Sequence, residues 1–141
     1  MATVLIVEDN ENVAKFYALA LERAGGIEVL QGESGDAVIE TVRSGKVDLV
    51  LLDISLAEFT CQGRQVNGLE LARLLKDDEA TRAIPILLAT AHAMEGDREK
   101  FLATSGADGY LQKPIYEPQV LVETVRSLLA MDAGTPGPTS A

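Results

Sequence analysis

Short apolar runs recur along this chain, and four of them end in a residue able to do chemistry. TVLIV (Thr3–Val7) runs into Glu8 and Asp9, and VDLVLLD (Val47–Asp53) closes on an acid. IPILLA (Ile84–Ala89) is followed by Thr90, and GYLQ (Gly109–Gln112) by Lys113. Apolar runs this short and unbroken read as strands buried on both faces. Ile27–Leu30 supplies one more strand. The intervening stretches carry apolar residues at helical spacing. Asn10 caps a segment bearing Val13, Phe16, Tyr17, Ala20 and Ala24, which Gly25-Gly26 stops. Ser34 opens a second helix, with Val38 and Val42 on one face and Gly45 at its end. Gly68–Lys76 and Ala93–Ser105 read as two more, with Gly106 as a cap. Pro118 stands near the start of a last one that carries Leu121, Val125, Leu128 and Leu129. Five strand–helix units in series predict an α/β fold, a doubly wound five-stranded parallel sheet with five flanking helices. In such sheets the site lies beyond the carboxyl ends of the strands.

The length of 141 residues suits one domain, read as residues 1–131, followed by a flexible tail, 132–141, of sequence DAGTPGPTSA. Twelve Lys and Arg face 22 Asp and Glu, a formal charge of −10. That balance argues against nucleic acid and against an anionic membrane surface as the main partner. No apolar run is long enough to span a bilayer, and MATVLIVEDN lacks the pattern of a signal peptide. The single cysteine, Cys61, excludes an intrachain disulfide and a multi-cysteine zinc site, and it reads as an inert loop thiol. A cytoplasmic location is the expectation.

The topology delivers Glu8, Asp9, Asp53, Thr90 and Lys113 to one edge of the sheet. Three carboxylates in one pocket repel each other, so one takes a proton or a cation enters. Oxygen ligands without His or Cys favour Mg²⁺, Mn²⁺ or Ca²⁺. Lys113 adds a positive charge and Thr90 a hydroxyl donor, a set suited to stabilising charge on a phosphoryl group in transfer. The nucleophile is then a carboxylate, and Asp53 on the central strand is the natural choice.

These residues lie in VLIVEDN (Val4–Asn10), DLVLLDI (Asp48–Ile54), NGLELARLLK (Asn67–Lys76), IPILLATA (Ile84–Ala91) and GADGYLQKP (Gly106–Pro114). Over about residues 3–130 the chain resembles the response-regulator receiver domain, the CheY-like phosphoacceptor module of two-component signalling, of the stand-alone type. The resemblance implies a flavodoxin-like strand order 2-1-3-4-5. It implies a phosphoryl group accepted on Asp53 from a histidine kinase or phosphotransfer protein, with Mg²⁺ or Mn²⁺ as cofactor. Asp9 becomes the direct metal ligand, Glu8 holds metal waters, and the backbone carbonyl of Ser55 is a third protein ligand. Thr90 and Lys113 each contact a phosphoryl oxygen, and Lys113-Pro114 is a cis peptide. Tyr110 is the switch aromatic, turning inward with Thr90 as phosphorylation shifts a population. Ser55 and His92 sit where side chains border the pocket and modulate access of water. Such a domain is no conventional enzyme, its chemistry being its own phosphorylation and dephosphorylation. Its output is contact with a downstream protein, as a monomer or a phosphorylation-dependent homodimer.

The chain departs from the family pattern after Asp53. Ala57 stands where a proline is common, and Asp53 to Gly68 is 15 positions, longer than usual, with an insertion around EFTCQGRQ (Glu58–Gln65). This long polar segment, Ile54–Asn67, is expected to border the phosphorylation pocket, either as a tolerated surface insertion or as a determinant of partner choice. Three rivals are weaker. A flavodoxin-like cofactor binder needs a phosphate loop where acidic EDNEN stands. A haloacid-dehalogenase-type phosphatase needs D-x-D after the first strand. A docking module that is never phosphorylated typically lacks acidic-pocket or lysine residues that this chain keeps.

Overall fold

The computed structural model describes residues 2–56, 59–91, 96–113, 115 and 117–132, with residues 131 and 132 described by backbone alone. In chain order the elements are β1 (Thr3–Val7), α1 (Glu11–Leu19), β2 (Glu28–Gln31), α2 (Gly35–Arg43) and β3 (Leu49–Asp53). Then come β4 (Thr60–Cys61), β5 (Arg64–Gln65), α3 (Gly68–Asp77), β6 (Ile86–Thr90), α4 (Asp97–Ser105), β7 (Gly109–Gln112) and α5 (Pro118–Asp132). Five strands form one parallel sheet, as the sequence predicts, in the order β2-β1-β3-β6-β7 that the resemblance implies. β4 and β5 form a separate antiparallel hairpin.

Alternation along the strands divides the core in two. Leu5, Val7, Val50, Leu52, Ile86 and Leu88 face α2 and α3, meeting Val38, Val42, Leu71 and Leu75. Val4, Ile6, Leu49, Leu51, Leu87 and Ala89 face α1 and α5, meeting Tyr17, Leu21, Leu121 and Val125. All of these side chains are essentially inaccessible to solvent, which is why the strands read as unbroken apolar runs.

Local chemistry fixes the helix starts at this same edge. Asn10 Oδ1 accepts from the Asn12 and Val13 amides, at 3.0 and 3.1 Å. Ser34 Oγ accepts from Ala37 N at 3.1 Å. Asn67 and Glu70 exchange a reciprocal pair at 2.9 Å each, a capping box.

The structure departs from the sequence expectation in three places. α1 does not run as one α-helix to Gly25; from Ala20 to Ala24 it widens into a π-helical turn. α4 begins at Asp97; residues 93–95 of the expected helix lie outside the described residues. The segment expected to be a polar loop contains the β4–β5 hairpin, with Ile54, Leu56, Phe59, Cys61 and Val66 buried. Residues 133–141 of the expected tail also lie outside the described residues.

Candidate functional site

Strand register brings the chemistry together. Val7 pairs with Leu52, and Asp53 pairs with Ala89. Thr90 pairs with Gln112, directly before Lys113. Four strands therefore end level, and the residues at or just past their ends share one pocket. One carboxylate oxygen from each of Glu8, Asp9 and Asp53 lies within 4.8 Å of the others. Lys113 Nζ donates to Glu8 Oε1 at 2.7 Å and lies 3.4 Å from Asp53 Oδ1. The lysine backbone is held as well, since its amide donates to the Thr90 carbonyl at 2.8 Å.

Burial differs across the set. The side chains of Glu8 and Asp53 are 2% and 5% exposed, while Asp9 stands in solvent. Burial is the main reason the Glu8 carboxyl is pushed above the ordinary glutamate range. The Lys113 hydrogen bond opposes that rise, the Asp53 charge adds to it, and the Asn10 amide, 3.2 Å from Oε2, opposes it again. The Lys113 ammonium stands among three carboxylates. Three clustered carboxylates without nitrogen or sulfur donors fit a hard divalent cation.

The remaining residues singled out in the sequence fall as follows. Ser55 follows β3 by two residues, is exposed, and its amide donates to Asp53 Oδ1 at 3.3 Å. Thr90 is buried at the end of β6. Tyr110 lies on β7, half-buried, with its ring 6.4 Å from that of Phe101. Burial raises its phenol, and its hydroxyl is buried with no hydrogen-bond partner among the described residues. His92 and Pro114 lie outside the described residues, and with them the expected water modulation and cis peptide.

Two residues beside the site were not singled out. Tyr17, read only as a helix-face apolar residue, is 2% exposed, and its hydroxyl also has no partner among the described residues. Burial, then the charges of Glu8 and Asp53, hold its phenol well above the ordinary range. Gly68 opens α3 against the end of β3: a Cβ there would overlap the carbonyl oxygen of Asp53. Its amide donates to the Ile54 carbonyl at 2.9 Å. No sequence spacing signals either contact, because each depends on packing between elements.

The 54–67 segment meets the acidic cluster at Ser55, and its hairpin packs elsewhere. Its described residues turn toward α2, where the Asp36 carboxylate accepts from the Gln62 amide at 3.1 and 3.2 Å. A cavity of about 470 Å³ beside Lys113 is walled instead by Asn10, Val13, Phe16, Tyr17 and Ile115.

Comparison with known proteins places this geometry in a family. Residues 4–126 match the family model described as the response regulator receiver domain. The polar-differentiation response regulator DivK of Brucella ovis is 40% identical over 127 residues, covering 90% of this chain and 95% of that protein. The signal receiver domain of a signal transduction histidine kinase from Syntrophus aciditrophicus superposes with a TM-score of 0.78 at 27% identity, covering 100% of this chain and 99% of that one. A response regulator protein from Burkholderia multivorans superposes with a TM-score of 0.66 at 28% identity, covering 97% and 98%. The match over most of its length, together with the relatives, shows that this chain belongs to the response regulator receiver domain family of two-component signalling.

Proposed function

We propose that Asp53 accepts a phosphoryl group from a phosphohistidine on a histidine kinase or phosphotransfer protein, in a reaction that depends on a divalent cation. The observation that carries this reading is the convergence of Glu8, Asp9, Asp53 and Lys113 at the ends of three strands. An Asp53 carboxylate oxygen attacks phosphorus, and the O–P bond forms as the N–P bond to the donor imidazole breaks. The electron pair of the broken bond returns to the imidazole nitrogen. Negative charge on the equatorial oxygens is met by the Lys113 ammonium and the Thr90 hydroxyl. Glu8, Asp9 and Asp53, with the Ser55 carbonyl, would hold Mg²⁺ or Mn²⁺, which when bound supplies Lewis-acid neutralisation of phosphoryl charge. Hydrolysis reverses the modification: water attacks phosphorus, the acyl-phosphate O–P bond breaks, and the carboxylate and inorganic phosphate result.

Signalling follows from the new charge. Thr90 closes on the phosphoryl group, Tyr110 turns further inward, and the surface of α4, β7 and α5 presents a different face to a protein target. The ring of Tyr110, packed only partway into the core, supports its role as the element that moves.

Intact mass after incubation with acetyl phosphate and Mg²⁺ tests the reading. The expected result is one added phosphoryl group, absent with EDTA and absent from Asp53→Asn. If no adduct forms, and beryllofluoride with Mg²⁺ leaves the protein's spectrum unchanged, the domain is a docking module that works without phosphorylation.

A further inference from the structure

The β4–β5 hairpin is built as a fixed wall. Phe59, Cys61 and Val66 bury their side chains in the core that α2 and α3 cover. Val66 N donates to the Phe59 carbonyl at 2.9 Å, closing the base of the hairpin, and Asp36 fastens its tip to α2. The fit against α2 is close: a Cβ on Gly35 would lie 2.6 Å from the Cβ of Cys61.

This wall creates a groove of about 420 Å³ between β5, α3 and α4. Val66, Leu69 and Leu74 give it an apolar lining, and Arg64 and Arg73 stand at its rim. Leu74 is 39% exposed, one of three large hydrophobic side chains left in solvent among the described residues. The rim charge runs against the character of the chain, whose net charge is −10. Arg64 has no ion pair among the described residues. Arg73 has one, to Asp77 at 3.0 Å, with both side chains more than half exposed, an interaction easily exchanged for a better carboxylate. The one acid in the lining, Glu70, is already engaged with the Asn67 amide in the capping box.

We propose that this groove is a docking site for an acidic amphipathic segment of a partner protein. An apolar side chain of that segment covers Leu69 and Leu74, and flanking carboxylates meet the forked guanidinium donors of Arg64 and Arg73. The pairing is one of charge complementarity on an apolar floor, and the inserted hairpin supplies one of its two arginines. The groove shares no lining residue with the acidic cluster, so its occupancy can be read on the unphosphorylated chain.

The test uses the full ¹⁵N-labelled, unphosphorylated chain. It is titrated with a synthetic amphipathic helical peptide carrying leucines on one face and glutamates beside them. A matched peptide with lysine for glutamate serves as control. Saturable amide shifts confined to residues 64–74 and Thr104 are expected, with the glutamate peptide binding at least about tenfold tighter than the lysine peptide. Arg64→Ser/Arg73→Ser, two exposed substitutions, is expected to weaken the glutamate peptide by about tenfold while the circular dichroism spectrum is unchanged. Equal binding of the two peptides, unchanged affinity in the variant, or no saturation would overturn the proposal. So would shifts that map to the cavity beside Lys113, or a groove occupied by a second copy of the chain without peptide.

Discussion

Tyr17 carries a buried hydroxyl with no hydrogen-bond partner among the described residues. A buried donor without a partner costs on the order of 1–3 kcal/mol relative to its hydrated state. Removing the oxygen while keeping the ring should therefore help. Tyr17→Phe is expected to raise unfolding stability by about 1 kcal/mol in urea, whereas Tyr17→Ala should lose about 3–5 kcal/mol through the cavity it leaves. A stability loss in Tyr17→Phe would show that the hydroxyl has found a partner. Cys61 presents the complementary case of a reactive group silenced by its surroundings. Burial first, then the Asp36 charge and its hydrogen bond with the thiol, push the Cys61 thiol above its ordinary range. The thiolate is the nucleophile, so a raised value means slow alkylation at neutral pH. The sign for stability follows. The folded state holds the proton more tightly, so this contribution is intact below the ordinary thiol value and is lost as pH rises through the raised one. Iodoacetamide should modify native Cys61 on the order of a hundredfold more slowly than the urea-unfolded chain. Comparable rates would place the thiol in solvent.

Among the elements, the hairpin repays a closer look because its turn is strained. Gln62 adopts φ +54°, and Gly63 follows at φ +80°. Two positive values in a two-residue turn match the twist of a hairpin, but only glycine and asparagine take them cheaply. Gln62→Gly should relieve the strain and stabilise the protein by about 0.5–1 kcal/mol, read from the urea midpoint, since relief exceeds the added unfolded-chain freedom. A loss would mean that the Gln62 side chain contributes contacts worth more than the backbone strain. The hairpin also shows what a linear reading misses. Two-residue strands carry no period, so Thr60–Cys61 and Arg64–Gln65 could not announce themselves by alternation. Phe59, Cys61 and Val66 are core residues scattered among polar ones, and the segment therefore read as loop. The π-helical turn at Ala20–Ala24 was hidden for a similar reason, since ALERA is a good helical sequence and nothing in its spacing marks a widening; its Ala20 and Leu21 share a core cluster with α5. By contrast, β1, β3 and β6 announce themselves because burial on both faces demands apolar residues at every position. The acidic pocket was legible because parallel strands of matched register end together, so residues after each run must meet. Tyr17 and Gly68 were not, because their place depends on how α1 and α3 pack.

At the scale of the whole molecule, the charge of −10 sets two ways in which a divalent cation can stabilise the fold. One is general: screening weakens the self-repulsion of an acidic chain, and any salt of the same ionic strength does it. The other is local, at Glu8, Asp9 and Asp53, where three carboxylates cluster beside the Lys113 ammonium. The two separate experimentally. At about 100 times its dissociation constant, a cation bound only to the folded state adds about 2.7 kcal/mol, a rise in Tm on the order of 10 °C for a domain of this size. NaCl at matched ionic strength should deliver only the screening part. Asp53→Asn removes one of the clustered charges, so it should raise the metal-free Tm while abolishing the increment specific to Mg²⁺. Asp9→Asn should do the same, with the smaller baseline gain expected of an exposed acid. If Mg²⁺ and NaCl shift the wild-type Tm alike, the carboxylates are tolerated by screening alone and the cluster is no metal site. If Mg²⁺ acts specifically and both substitutions erase the effect, the repulsion built into the strand ends is what a cation relieves. The energy the apo fold spends holding those acids together is then the source of its affinity for the metal.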